Sequence, residues 1–328
     1  MSPLALGTMT FGTERTGERE SRQIFDAYVE GGGTFVDTAD VYADGRSEEL
    51  VGAFVAERHM RDRLIIATKF GFNDEDVSPL AGGNGRKNLH RAIAGSLRRL
   101  RTDYVDLYWM HVWDRVTPVE EVLQTLGDFV RAGKIRYFGF SDVPAWYAAR
   151  AATLAAAYAV PGPVALQLEY SLTERSIERE HVPAALELCL GITPWSPLAA
   201  GFLTGKFARD DVAGDAGRAG RKFAERNWRT LDVLREVAND MGETPANVAL
   251  AWASGRPGIS SAILGATTVE QLKANLSSWK VAMTAEHLAR LDVVSALDAA
   301  QPYDLFSDDS NRKVFAGATV ERPQVSVR

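Results

Sequence analysis

Thr34-Phe35-Val36-Asp37-Thr38-Ala39-Asp40-Val41-Tyr42 is a short apolar run that ends on a carboxylate and turns into a polar segment carrying a tyrosine. Two later segments repeat the design. Leu64-Ile65-Ile66-Ala67-Thr68 ends on Lys69, and Val105-Asp106-Leu107-Tyr108-Trp109-Met110 ends on His111. Runs this short and apolar read as buried strands, so each strand delivers an ionisable group at its C-terminal end. In a barrel of parallel strands all C-terminal ends share one face, where the connecting loops build a site. Asp37, Tyr42, Lys69 and His111 are therefore expected to converge, although the chain spreads them widely.

The alternation extends outward from that stretch in both directions. Leu4-Ala5-Leu6-Gly7-Thr8-Met9 reads as a first strand, and Glu18 to Glu30 as a helix with Ile24, Phe25, Tyr28 and Val29 on one face, stopped by Gly31-Gly32-Gly33. A second helix is expected from Ser47, a candidate N-cap, with Glu48 and Glu49 in the first turn where negative charge suits the helix dipole. A polar loop follows from Gly71 to Lys87, then a helix opened by Asn88 with Leu89, Ile93, Leu97 and Leu100 on one stripe. Thr117-Pro118-Val119-Glu120 reads as a capping box with proline at the first helical position, and Gly133 ends that helix beside a strand from Ile135 to Phe140.

The second half keeps the rhythm, with helix Trp146 to Tyr158, strand Val164 to Leu168, helix Val182 to Leu190, strand Ile192 to Trp195, helix Pro245 to Ala253 and strand Ser261 to Leu264. A helix capped by Thr268, with Gln271 completing the box, closes the eighth unit, and Thr284 starts a further helix. Strands alternating with helices and no visible linker predict an α/β fold, a single (β/α)8 TIM barrel domain over residues 1–328. Leu198 to Arg221, rich in Gly, Ala and Asp, is expected as a long mobile loop over the C-terminal face, and residues from about Gln301 onward as a tail over the same face.

A chain of 328 residues with a hydrophobic share of 46% can bury a sizeable core, which excludes general disorder. Its net charge of -6 gives no general attraction to nucleic acid or to an anionic membrane, yet allows a local basic pocket for a phosphorylated cofactor. Cys189 is the only cysteine, so no intrachain disulfide and no cysteine metal cluster can form. His59, His90, His181 and His287 show no metal-ligand spacing. With no secretory pattern at the N-terminus and no uninterrupted run of about 18 apolar residues, the expectation is a cytoplasmic protein that acts on a small molecule.

A tyrosine with its ordinary pKa of about 10 is a poor proton donor near neutrality, but an adjacent ammonium stabilises the phenolate. Lys69 can supply that charge, and Asp37 can hold Lys69 in place. His111 can donate a hydrogen bond to the oxygen that Tyr42 protonates. Such a site polarises a carbonyl and protonates it as a hydride arrives from a nicotinamide. Singly, each residue has an ordinary explanation: a structural ion pair, a half-buried loop tyrosine, a satisfied core histidine. For all four at matching strand ends, that explanation needs the same coincidence repeatedly.

Phe35 to Tyr42, Thr68-Lys69-Phe70-Gly71, Asp106-Leu107-Tyr108-Trp109-Met110-His111 and Trp195-Ser196-Pro197-Leu198-Ala199-Ala200-Gly201-Phe202-Leu203-Thr204-Gly205-Lys206 resemble the aldo-keto reductases, and the resemblance runs from about Leu4 to Ala296. It implies a barrel that reduces aldehydes or ketones to alcohols with NADPH, NADH being a weaker alternative, with Tyr42 as general acid and Asp37, Lys69 and His111 in the roles above. The branch is similar to bacterial reductases related to potassium-channel β-subunits. That implies an alternative function, an NADP(H)-binding, redox-sensing regulatory subunit with slow turnover.

The resemblance also implies a cofactor set. Ser141, Asp142 and Gln167 face the nicotinamide carboxamide, Trp195 stacks on its ring, Ser196, Leu198, Gly201 and Lys206 line the pyrophosphate, and Gly265, Thr267, Gln271 and Asn275 hold the adenosine end. Gly7, Thr8 and Met9 at the end of the first strand and Arg218 in the long loop join it. Asp142 stands where the family commonly has Asn, and Thr267 where relatives often carry Ser or Arg near the 2′-phosphate; Arg218 or Arg221 can compensate. Met9, Phe72, Trp113, Tyr303 and Phe306 are expected along an apolar substrate pocket. Rival signatures are absent, both Tyr-x-x-x-Lys with a glycine-rich turn after the first strand and Gly-x-Ser-x-Gly.

Overall fold

The computed structural model describes residues 1–73, 78–214 and 217–320. Its strands are β1 (Leu4–Gly7), β2 (Phe35–Asp37), β3 (Ile65–Phe70), β4 (Val105–Met110), β5 (Ile135–Ser141), β6 (Ala165–Glu169), β7 (Gly191–Trp195) and β8 (Ala262–Gly265). Between and after them lie α1 (Glu18–Glu30), α2 (Arg46–Glu57), α3 (Arg86–Leu100), α4 (Val119–Arg131), α5 (Ala145–Ala157), α6 (His181–Glu187), α7 (Glu225–Met241), α8 (Pro245–Ser254), α9 (Val269–Leu276), α10 (Ala285–Val294) and α11 (Asp308–Val314). The strands pair in parallel in the order β7-β6-β5-β4-β3-β2-β1-β8. Between β7 and β8 the ring closes just before β8, where Ile192 N donates to Gly258 O at 2.9 Å and Ser260 N to Ile192 O at 2.8 Å. The result is an α/β barrel of the (β/α)8 TIM type, ringed by helices.

Two apolar layers hold it together. The larger lies between strands and helices and includes Leu6, Ile66, Phe70, Tyr108, Phe140 and Leu166. The smaller fills the barrel interior with Ala5, Phe35, Ala67, Leu107, Trp109 and Ala165. Trp109 is fully buried there, and it fits because its neighbour on β5 is Gly139, where a Cβ would come within 2.4 Å of the indole ring.

Side chains alternate along a strand with a period of two, and this places the chemistry. Two residues beyond the interior Phe35 is Asp37; beyond Ala67 is Lys69; beyond Trp109 is His111; beyond Ala165 is Gln167. Each of these four strands thus carries an apolar residue inside the barrel and a polar one at its C-terminal mouth.

Element positions agree with the sequence reading to within a few residues, apart from the tail, expected to be loosely structured, where α11 forms a helix, and four further local differences. Helix α7 was not anticipated; its Trp228, Leu231, Leu234, Val237 and Ala238 form a buried stripe inside a charged segment. Ser47 does not cap α2: Gly45 takes that position with φ +84°, and the buried Ser47 hydroxyl lies 2.8 Å from both Thr8 O and Thr8 Oγ1. Thr117 forms no capping box, because Asp114 accepts from its N–H at 2.9 Å and its hydroxyl at 2.6 Å, and Pro118 becomes the N-cap of α4. Thr268 caps α9 by accepting from Gln271 N at 3.2 Å, but the Gln271 side chain turns to Thr267 instead of closing the box.

The Gly71–Lys87 loop, the Leu198–Arg221 loop and the C-terminal tail contain residues 74–77, 215–216 and 321–328, which lie outside the described residues. The rest of the long loop carries two short 3-10 turns, Ala199–Thr204 and Gly217–Lys222. The tail leans on the rim, with the Tyr303 hydroxyl donating to Glu180 at 2.5 Å and Arg179 to Asp298 O at 2.7 Å. Among the described residues no helix is long and apolar enough to cross a membrane.

Candidate active site

At the mouth, Lys69 is fully buried and Asp37 nearly so. The ammonium donates to Asp37 Oδ2, to Thr38 O at 2.7 Å and to Tyr42 Oη at 3.1 Å. An ammonium has three protons, and these acceptors use all of them. Burial opposes the charge on Lys69, but Asp37 and then Tyr42 outweigh it and hold the pKa above the ordinary lysine range. Because Tyr42 Oη accepts from Lys69, its own proton is left to donate elsewhere.

Asp37 has its second oxygen bonded as well, Gln167 Nε2 donating to Oδ1 at 3.0 Å. His111 stands edge-on to Tyr42, ring centroids 5.9 Å apart, and Phe72 flanks its other side at 4.8 Å. Burial first, then the Lys69 charge, drives the His111 pKa down to about 2. The imidazole is therefore neutral across the working pH range. Its Nδ1 is buried without a partner among the described residues, which leaves Nε2 as the nitrogen that can serve the mouth.

The predicted cofactor residues fall into groups. Ser141 on β5 lies opposite Gln167 on β6, and Trp195 Nε1 donates to Asp142 Oδ1 at 3.1 Å, so Ser141, Asp142, Gln167 and Trp195 form one patch of the mouth. After β7 the backbone turns through positive φ at Ser196 (57°), Ala199 (51°), Ala200 (56°) and Gly201 (93°). A Cβ on Gly201 would lie 3.4 Å from Lys206 Nζ, so an ammonium hangs over bare backbone. Leu198 is partly buried beneath this turn and its carbonyl accepts from Gly201 N at 2.9 Å. At the end of β8 a side chain on Gly265 would meet open space; Thr267 precedes the N-cap of α9, Gln271 lies in its first turn and Asn275 in its last. An open glycine backbone under a lysine and a helix N-terminus with exposed donors suit the phosphates of a dinucleotide, so these residues fit a nicotinamide dinucleotide.

Gly7 packs tightly, a Cβ there coming within 2.6 Å of Ile263. Thr8 is fully buried, its hydroxyl donating to Asp37 O at 3.1 Å, so its side chain braces β2 and does not face the mouth. Met9 is 46% exposed and lies 3.6 Å from Arg218 Nη1. On the opposite side of the ring Lys222 pairs with Glu169 at 2.8 Å. The long loop is thus fastened at both rims of the mouth, and Lys222 is a tether that sequence reasoning missed. Of the residues expected along a substrate pocket, Phe72 and Trp113 stand near His111 in space or sequence, whereas Phe306 is 72% exposed on the tail.

Sequence reading also missed a buried polar layer behind β3. Glu48 is fully buried, accepting from Thr68 Oγ1 at 2.5 Å and from Arg99 Nε at 2.6 Å. Beside it, Asp40 Oδ1 is buried without a partner among the described residues. Burial, then the Glu48 charge, pushes the Asp40 pKa up to about 7. Asp40 borders a recess of about 370 Å³ shared with Asp44, Phe72, Arg91, Arg98 and Arg99, which lies beside the Tyr42 loop.

Comparison with known proteins places the chain in a family. The model of the aldo/keto reductase family matches residues 3–296. The chain is 36% identical to an uncharacterized oxidoreductase of Bacillus subtilis over 89% of this chain and 91% of that protein. It is 31% identical to an aryl-alcohol dehydrogenase [NADP(+)] of Phanerodontia chrysosporium, over 96% and 88%. A probable voltage-gated potassium channel subunit beta of Oryza sativa is 32% identical, over 90% and 93%. The chain belongs to the aldo/keto reductase family and is an oxidoreductase.

Proposed function

We propose that the protein is an NADPH-dependent reductase of aldehydes and ketones, with Tyr42 as the acid that protonates the carbonyl oxygen. The observation that carries this reading is the hydrogen bonding of Lys69: the ammonium donates to Tyr42 Oη, so the phenol proton is directed away from it. The same charge stabilises the phenolate that remains after the proton leaves. Neutral His111 donates a second hydrogen bond to the carbonyl oxygen and so orients and polarises it. Asp37 holds Lys69 charged, and Gln167 holds Asp37. NADPH, when bound, supplies the hydride.

The Gly201–Lys206 turn would take its pyrophosphate, Ser141, Asp142, Gln167 and Trp195 its nicotinamide end, and Gly265, Thr267, Gln271 and Asn275 its adenosine end, with Arg218 and Met9 closing over it. Phe72 and Trp113 give one wall an aromatic character, and one relative is named an aryl-alcohol dehydrogenase. Both favour carbonyls attached to apolar or aromatic groups.

The test is Tyr42→Phe, which removes the proton and keeps the ring. General acid catalysis contributes roughly 10²–10⁴-fold, so kcat falls by that much while NADPH binding, followed by fluorescence titration, is retained. A variant with near wild-type kcat would remove Tyr42 from the role. A second reading, a regulatory subunit that binds NADP(H) and turns over slowly, is favoured by the similarity to a protein named a channel subunit. Tight cofactor binding with negligible turnover on a broad carbonyl panel would support it over the first.

A further inference from the structure

Asp142 is the first residue after β5, and it holds the left-handed conformation with φ +49°, which costs energy in any residue other than glycine and is borne best by Asn and Asp. Its N–H donates to Gln167 O at 3.2 Å, and the Gln167 side chain in turn holds Asp37. Asp142 is thus one residue removed from the Lys69 centre, and it is exposed at the mouth. Its carboxyl accepts from Trp195 Nε1 at 3.1 Å and from Ser141 Oγ at 3.4 Å. Both donors are neutral. A carboxylate has about four acceptor positions, so capacity remains toward the mouth.

The charges around it do not balance. Lys69 is paired with Asp37, and Lys222 with Glu169. His111 is neutral. Asp142 makes no ion pair among the described residues. The residue as a whole is exposed, but its carboxyl packs against Trp195 and Ser141, and this local loss of water first, with the Glu169 charge in the same direction, holds its pKa above the ordinary carboxylate range against the hydrogen bonds from Trp195 and Ser141 and the Lys69 charge. Lys206 over Gly201 and Arg218 beside Met9 also make no ion pair among the described residues, so the mouth is not negative as a whole; the Asp142 carboxylate, beside the indole of Trp195, is a local negative charge with no cation paired to it there.

We propose that Asp142 makes this mouth read the redox state of the nicotinamide, its carboxylate favouring the positively charged oxidised ring over the neutral reduced ring. The inference rests on the reading above that a nicotinamide dinucleotide binds here. An asparagine would keep the hydrogen bonds and the backbone conformation but not the charge, so charge is the property under test. A charge pair at contact range near a protein surface corresponds to roughly tenfold in affinity.

The experiment measures Kd for NADP+ and for NADPH by fluorescence titration at pH 8, in the wild type, Asp142→Asn and Asp142→Glu. In Asp142→Asn, NADP+ binding weakens by about tenfold and NADPH binding by less than about threefold, and the difference shrinks as salt is raised. Asp142→Glu keeps most of the wild-type ratio of the two Kd values. Equal weakening of both nucleotides in Asp142→Asn, with the ratio unchanged, would overturn the proposal while leaving the nicotinamide reading intact. A wild type that binds neither nucleotide would overturn both.

Discussion

Gln167 Nε2 donates to Asp37 Oδ1 at 3.0 Å inside the barrel mouth, joining β6 to β2 between residues 130 apart in sequence, while Lys69 takes Asp37 Oδ2. Both oxygens of a nearly buried carboxylate are therefore bonded, one by an amide and one by an ammonium. The pair is held from two sides.

This arrangement separates stability from activity. Removing one partner of a buried ion pair costs roughly 3–5 kcal/mol, because the other charge is left unpaired, whereas removing both is often close to neutral. Lys69→Met alone should therefore lower the denaturant midpoint substantially, and Asp37→Asn with Lys69→Met should recover much of it. Turnover should be lost in both, since neither retains the ammonium beside Tyr42. Recovery of turnover in the double variant would mean that Lys69 is only a structural partner.

His111 supplies a pH signature. An unfolded histidine titrates near 6.5, whereas burial holds folded His111 down to about 2, so the folded state binds fewer protons between those values. Its contribution is fully present above pH 6.5 and is lost as pH falls toward 2. Wild-type stability should decline relative to His111→Gln by about 1.4 kcal/mol per pH unit below pH 6. Parallel stability curves for the two proteins between pH 6 and pH 4 would show that the ring becomes protonated in the folded state. Over the same range of sequence, His111 and its fellow strand-end residues were legible because the signal is local: an apolar run, a period of two and a charged residue at its end.

What was not legible depends on partners distant in sequence. Glu48 sits in the first turn of α2, where the helix dipole explains an acidic residue, yet it is fully buried because Arg99 from α3 and Thr68 from β3 close over it. Gln167 reads as a ligand residue, and nothing near it in sequence announces Asp37. The Thr117 capping box failed because Asp114, three residues earlier, competes for the same donors. Helix α7 was overlooked because its mostly charged surface masks a regular stripe from Trp228 to Ala238.

Asp40 has the opposite sign to His111. Its carboxyl is pushed up to about 7 by burial and by Glu48, against about 3.9 in an unfolded chain. The contribution is therefore fully present below pH 4 and is lost as pH rises to about 7. Asp40→Asn removes the titration, so its stability gain over the wild type should be small at pH 4 and on the order of a few kcal/mol at pH 8. Denaturation midpoints at the two pH values check this. A gain independent of pH would mean that Asp40 ionises as easily folded as unfolded.

Cofactor choice turns on the start of α9. Gln271 Oε1 accepts from Thr267 N at 3.1 Å and from Thr267 Oγ1 at 3.0 Å, and because a backbone N–H can only donate, the amide oxygen is fixed toward Thr267. The amide NH2 of Gln271 is left as a donor, with Asn275 one turn further along the same face. A 2′-phosphate placed there meets neutral donors and a helix N-terminus, which favours anions. It meets no arginine in α9 itself. NADPH should therefore bind more tightly than NADH by a modest margin. Thr267→Arg should widen the gap, since a charge-assisted hydrogen bond contributes roughly 1.5–3 kcal/mol, or about tenfold or more in affinity. Gln271→Glu keeps the acceptor for Thr267 but replaces the free donor with a like charge, so it should narrow the gap. Fluorescence titration of both cofactors decides: equal Kd values in the wild type, unmoved by either substitution, would mean that this end of the site does not sense the phosphate.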